Sequence, residues 1–233
     1  MLHGVCYNLT KFISWLLFRF KFGLEVQGQR HVPREGPFIL ASNHVSFLDP
    51  LVLGVACPRR LRFMARSDLF RHVALGIFLR AVGVISLRRA EQDVAAIRTV
   101  VQLLKRGQPI ALFPEGTRQL SGKLGSAKRG VGLLAALAKV PIVPVVVTGT
   151  FKALPPHSKT LHPAKIRVAF GEKILYTISP FLEQEQDTSQ AASERDSTRS
   201  LQDRRARASG VHQRLADTLT QRWRQLAMDL NGE

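Results

Sequence analysis

A histidine lies five residues ahead of an aspartate in the stretch S-N-H-V-S-F-L-D-P, residues 42–50. An imidazole of ordinary pKa, about 6.5, can take a proton at neutral pH, and a carboxylate on its far nitrogen fixes the tautomer and offsets the charge. Five residues along a regular helix set side chains about 140° apart. His44 and Asp49 therefore form a pair only if His44 sits in a turn and Asp49 at a helix start. The same residues also read as a plain helix beginning. Asp49 before Pro50 suits an N-cap and first helical residue, and Ser46 with Asp49 suits a capping box. Both readings fit these nine residues. A base here would act on a hydroxyl or water from outside the chain. There is no G-x-S-x-G elbow, and the two cysteines, Cys6 and Cys57, lie in apolar surroundings.

A second group of residues is basic. In P-E-G-T-R, Pro114 to Arg118, Gly116 allows backbone conformations closed to other residues, and Arg118 offers a two-pronged donor for phosphate. Arg66 in M-A-R-S-D-L, the pair Arg88-Arg89, and then Gly122, Lys123, Lys128 and Arg129 extend this character. Each alone reads as a turn with solvated charge. Set beside a base, and all following strands, they suggest a phosphorylated substrate, because open α/β sheets gather ligands at the carboxyl ends of their strands.

The elements that would position these groups are short apolar strands alternating with helices. Strands are expected at 24–28, 38–41, 61–65, 83–87, 110–113, 142–148 and 165–170. Helices are expected at 50–56, 69–81, 92–105 and 132–139. This alternation predicts an α/β fold, a single domain with a mainly parallel central sheet flanked by helices. A valine-rich run after Pro141 reads as a buried strand rather than a membrane helix. Residues 1–23 form an N-terminal amphipathic segment. Leu2, Val5, Leu9, Phe12, Ile13, Leu16, Leu17 and Phe20 fall on one arc, with Lys11, Arg19 and Lys21 on the other among Trp15, Phe18 and Phe22. That pattern suits a helix lying in a membrane interface, and also one packed on the core. Its densest apolar run, 12–18, would span about 10 Å against the ~30 Å of a hydrocarbon core. The α/β domain is expected over 24–182, a polar linker over 183–206, and an amphipathic helix packing on the domain over 207–233.

With 34 Lys+Arg against 17 Asp+Glu, the formal charge is +17. A chain so basic is drawn to polyanions, whether nucleic acid, anionic lipid or phosphorylated small molecules. Two cysteines without ligand spacing and no histidine cluster give no expected metal site.

At this point the chain resembles a known family. H-V-S-F-L-D is similar to the H-x4-D motif of the glycerolipid acyltransferases, in particular the lysophosphatidate acyltransferases. G-V-I-S-L-R-R resembles the second block of that family, A-R-S-D-L its basic segment, and F-P-E-G-T-R with V-P-I-V-P-V its third and fourth blocks. The resemblance covers 24–180. It implies that His44, oriented by Asp49, deprotonates the 2-hydroxyl of a 1-acylglycerol 3-phosphate, which attacks an acyl thioester. It implies a phosphate site made by Arg118, Arg66 and Arg89, shaped by Glu115 and Gly116. It implies no cofactor beyond acyl-CoA or acyl-carrier protein as co-substrate. The implied partners are lysophosphatidate, an acyl thioester and an anionic membrane surface rather than nucleic acid, with acyl-carrier protein as a further candidate. The implied location is the cytoplasmic face of a membrane, peripheral or monotopic. Arg66 replaces the usual lysine and Arg88 the usual aspartate, so a sister enzyme acting on another lysolipid or an acylated amino acid is the alternative.

Overall fold

The computed structural model describes residues 2–87, 94–176 and 197–232. Helix α1 (Leu2–Lys21) leads into β1 (Glu25–Gln27) and β2 (Ile39–Ser42), followed by α2 (Asp49–Ala56), β3 (Met64–Arg66), α3 (Val73–Ala81) and β4 (Ile85–Leu87). Then come α4 (Val94–Lys105), β5 (Ile110–Leu112), α5 (Gly130–Ala138), β6 (Ile142–Thr148), the single turn α6 (Thr150–Ala153), β7 (Arg167–Phe170) and α7 (Ser197–Asn231). Five strands form one sheet in the order β1-β7-β6-β2-β5, parallel throughout except for β6 against β7. The fold is the α/β, mainly parallel architecture that the strand–helix alternation implies.

Alternation along the central strands divides the core into two layers. Ile39 and Ala41 of β2, with Ile142 and Val146 of β6, pack against α4, α5 and α7. Leu40, Val143, Val145 and Val147 face the opposite way, against α1 and α2. A strand buried on both faces reads as a continuous apolar run, as I-V-P-V-V-V does here. On the α7 side, the indole N–H of the fully buried Trp223 donates to the Ala41 carbonyl at 3.0 Å. The α5–α7 crossing is close, since a Cβ on Gly132 would stand 2.3 Å from the His212 carbonyl oxygen.

Three features differ from expectation. β3 and β4 form a separate two-stranded parallel sheet, tied to the main sheet by an isolated bridge between Arg62 and Ile110. The helix expected at 69–81 begins at Val73, because a 3-10 turn over Ser67–Arg71 and an extended His72 intervene. The connection expected as a linker to 206 is already helical from Ser197, consistent with the strong helix formers Arg, Gln, Ala and Leu there. The rest of that linker lies outside the described residues.

The N-terminal helix joins the fold by its narrower face. Tyr7, Ser14, Phe18 and Phe22 are buried, whereas the broad arc of Val5, Leu9, Phe12, Ile13 and Phe20 points outward. Lys11, expected among the charges of the polar side, instead turns inward. Its ammonium donates to the Cys57 carbonyl at 2.7 Å, at the end of α2, and burial lowers its pKa. No helix among the described residues is long and apolar enough to cross a membrane.

Candidate active site

Because β2 and β5 are parallel neighbours, with Ala41 beside Leu112, their carboxyl ends deliver His44 and the P-E-G-T-R turn to one place. Asn43 fixes the exit of β2. Its amide donates to the Val147 carbonyl at 3.0 Å and accepts the Val147 N–H at 2.8 Å, imitating a strand pair. The chain then turns, and α2 begins at Asp49. Its carboxylate curls back, so that Oδ2 lies 2.9 Å from His44 Nδ1 and accepts the N–H groups of Val45 at 2.7 Å and Ser46 at 2.8 Å. Asp49 is the first helical residue and Leu48 the N-cap, so the N-cap reading of Asp49 does not hold, but the same Asp49 oxygen organises the turn through the Ser46 N–H and holds the imidazole. Asp49 is fully buried, while the His44 side chain keeps 19% of its surface. Nε2 has no protein partner among the described residues. The ring stacks on Phe113, centroids 4.1 Å apart. Such an imidazole is oriented, tautomer-fixed and open on one nitrogen, as a general base requires.

Glu115, grouped by resemblance with the phosphate pocket, turns elsewhere. Oε2 accepts the His44 N–H at 3.0 Å and Oε1 the Gly125 N–H at 2.8 Å, while the Gln119 N–H donates to the His44 carbonyl at 2.8 Å. The turn after β5 therefore clasps His44 by both backbone groups. Burial pushes the Glu115 carboxyl above the usual carboxylate range, and the two backbone donors pull against that shift. Gly116 takes φ of 79°, the left-handed conformation that glycine adopts without strain, with the Lys128 ammonium packed over it. Arg118 places its guanidinium carbon 3.8 Å from the centroid of Phe47, and its Nε is buried without a hydrogen-bond partner. Arg66 closes β3, in register with Leu87 of β4, so the two strand ends lie side by side; its side chain is not among the described ones. Arg89 lies outside the described residues.

Beside His44 opens an apolar cleft of about 520 Å³. Leu51 and Gly54 of α2, Phe63, and Leu79 of α3 belong to its walls, and Tyr7 and Lys11 of α1 lie toward the far end of α2. Phe113, under the imidazole, and Phe47, under the guanidinium, line it too. A smaller cavity of about 210 Å³ against α7 contains none of these residues. Among the described residues no cluster of His, Cys, Asp or Glu could hold a metal ion. Reasoning from sequence missed Phe47, Phe113 and the direction of Glu115. Phe47 lay inside the quoted motif, but nothing in spacing tells an exposed ring from a core one.

Comparison with known proteins places the chain in a family. The acyltransferase family model matches residues 23–148. A 1-acyl-sn-glycerol-3-phosphate acyltransferase of Brassica napus chloroplasts is 32% identical over 154 residues, 64% of this chain and 44% of the Brassica protein. The chain thus spans about half the length of such plant relatives. The 1-acyl-sn-glycerol-3-phosphate acyltransferase of Bacillus subtilis is 29% identical over 175 residues, 74% of this chain and 82% of that one. The crystal structure of the 1-acyl-sn-glycerophosphate acyltransferase of Thermotoga maritima superposes with a TM-score of 0.66 at 22% identity, covering 80% of this chain and 81% of that one. By motif, fold and family match, the chain belongs to the acyltransferase family.

Proposed function

We propose that the chain transfers a fatty acyl group from a thioester, acyl-CoA or acyl-carrier protein, to the 2-hydroxyl of 1-acyl-sn-glycerol 3-phosphate, giving phosphatidate. The observation that carries this reading is an apolar cleft lined by Phe113, which stacks on the imidazole of the His44–Asp49 pair, and by Phe47, which lies under the guanidinium of Arg118. Nε2 of His44 takes the proton of the acceptor hydroxyl as its oxygen attacks the thioester carbonyl. Asp49 holds the ring and offsets the positive charge. When the tetrahedral adduct collapses, the carbon–sulfur bond breaks, the thiolate takes the proton back from the imidazolium, and His44 is neutral again. A base so placed contributes about 10²- to 10⁴-fold, and attack on a bound hydroxyl needs no covalent enzyme intermediate.

Arg118 grips the phosphate, with Arg66 and Arg89 as further cations, and Gly116 gives the backbone room to approach. The cleft takes an acyl chain. The outward arc of α1 settles on the cytoplasmic face of an anionic membrane, where +17 is favoured and the lipid acceptor resides. The protein is then peripheral or monotopic and needs no cofactor.

The test supplies purified protein with oleoyl-CoA or oleoyl-carrier protein and two acceptors, lysophosphatidate and monoacylglycerol. Transfer to the phosphorylated acceptor alone is expected. Equal transfer to both would defeat the acceptor assignment, and release of free fatty acid in place of phosphatidate would point to a thioesterase.

A further inference from the structure

Arg118 is held without an acid. Its guanidinium carbon sits 3.8 Å from the Phe47 centroid, whereas the other cation–ring contacts among the described residues run from 4.7 to 5.9 Å. No carboxylate among the described residues pairs with Arg118, and its buried Nε lacks a partner. Phe47 itself is 65% exposed, though it lies between the ordered His44 and the fully buried Asp49. Core packing does not account for a ring in that position.

An anion site has two requirements in conflict. Its arginine must be pinned, because a long side chain loses rotamer entropy on binding, yet a carboxylate that pinned it would neutralise the charge and occupy the donors the ligand needs. An aromatic face resolves the conflict. It attracts the flat guanidinium through the ring quadrupole and leaves the edge-on N–H donors free.

We propose that Phe47 is a positioning residue for acceptor binding, its ring presenting the Arg118 guanidinium to the phosphate. This rests on the acyltransferase reading above. The same ring lines the apolar cleft, so the wall that steadies the cation also bounds the space for the acyl chain.

The experiment compares wild type with Phe47→Leu, Phe47→Trp and a ring-trifluorinated phenylalanine at position 47. Fluorination keeps the size and apolar character of the ring while weakening its attraction for cations. The side chain is 65% exposed, and thermal melting of each variant checks that the fold is kept. Acceptor KM should rise about three- to ten-fold in Phe47→Leu and in the fluorinated protein, stay near wild type in Phe47→Trp, and leave kcat within about two-fold. A soluble short-chain lysophosphatidate serves as acceptor alongside vesicles. A defect seen on vesicles alone means that Phe47 anchors to lipid, and overturns the proposal. So does a wild-type KM in the fluorinated protein when Phe47→Leu is impaired, which would make the ring a mere apolar contact.

A second readout needs no turnover. Phenylglyoxal should modify Arg118 several-fold faster in Phe47→Leu than in wild type, read by peptide mass spectrometry. If wild type transfers nothing to lysophosphatidate, the functional reading fails and this rate alone decides the stack. Equal rates overturn it.

Discussion

On the β2–β5 wall of the cleft, His44 is bonded through its ring, its N–H and its carbonyl, and Asp49 Oδ2 gathers three donors. Across the opening, α3 and the β3–β4 pair bury Gly76 alone among α3 residues, and Val73 and Ile77 lie mostly in the open. One side is over-determined and the other is loosely held. A proton transfer needs reacting atoms held to a fraction of an ångström, while a lipid chain needs only an apolar, adaptable surface. The contrast suits the proposed roles, with a rigid wall where a proton would move and an adaptable apolar one where an acyl chain would lie.

Breaking the rigid wall should cost most. His44→Ala is expected to reduce transfer by about 10³-fold or more while melting stays near wild type. Near-normal turnover in that variant would remove the base from the mechanism. Asp49→Asn, which keeps the shape but not the charge, should cost about 10²- to 10⁴-fold in kcat, with acceptor KM little changed.

Glu115→Gln tests the clasp rather than the base. It should lower kcat about ten-fold, because an amide satisfies only one of the two N–H donors. Melting adds an independent sign. The folded pKa of Glu115 lies above its unfolded value, so its favourable contribution is complete below the unfolded pKa and is lost as pH rises through the folded one. The glutamine does not titrate. Its melting temperature relative to wild type should therefore climb as pH rises from about 4 toward neutrality, and a flat difference would contradict the upward push of burial on the Glu115 carboxyl.

Two smaller effects probe the loose wall. A Cβ on Gly54 meets only Phe63 and the Tyr7 hydroxyl at ordinary contact, so Gly54→Leu should fold and fill the cleft. Palmitoyl transfer is expected to fall several-fold while octanoyl transfer holds; parallel loss for both donors would place the chain elsewhere. Ile77→Glu should weaken activity on anionic vesicles a few-fold and leave a short soluble acceptor unaffected, which vesicle flotation can check.

Much of the rigid wall was legible in the sequence, and little of the other. The local residue types of His44 and Asp49 allowed a pair or a plain helix start, and only the resemblance to a family favoured the pair before any coordinates. Arg118 followed from its place after β5. The direction of Glu115 could not be read, since it depends on a backbone N–H 71 positions away. Phe47 and Phe113 are apolar letters in apolar surroundings, and only three-dimensional neighbours separate a ring under a cation from one in the core. The two faces of α1 were visible as an arc and its complement, but which one turned inward was decided by Phe18 and Phe22 fitting the core and by Lys11 finding a carbonyl at the end of α2. The detached β3–β4 pair escaped notice because a strand's sequence does not name its sheet.

The indole of Trp223 covers Ala41, three residues ahead of His44, from a position 182 residues downstream. The strand that leads to His44 is therefore closed from beneath only where helix α7 docks, so the support of the site joins segments far apart along the chain.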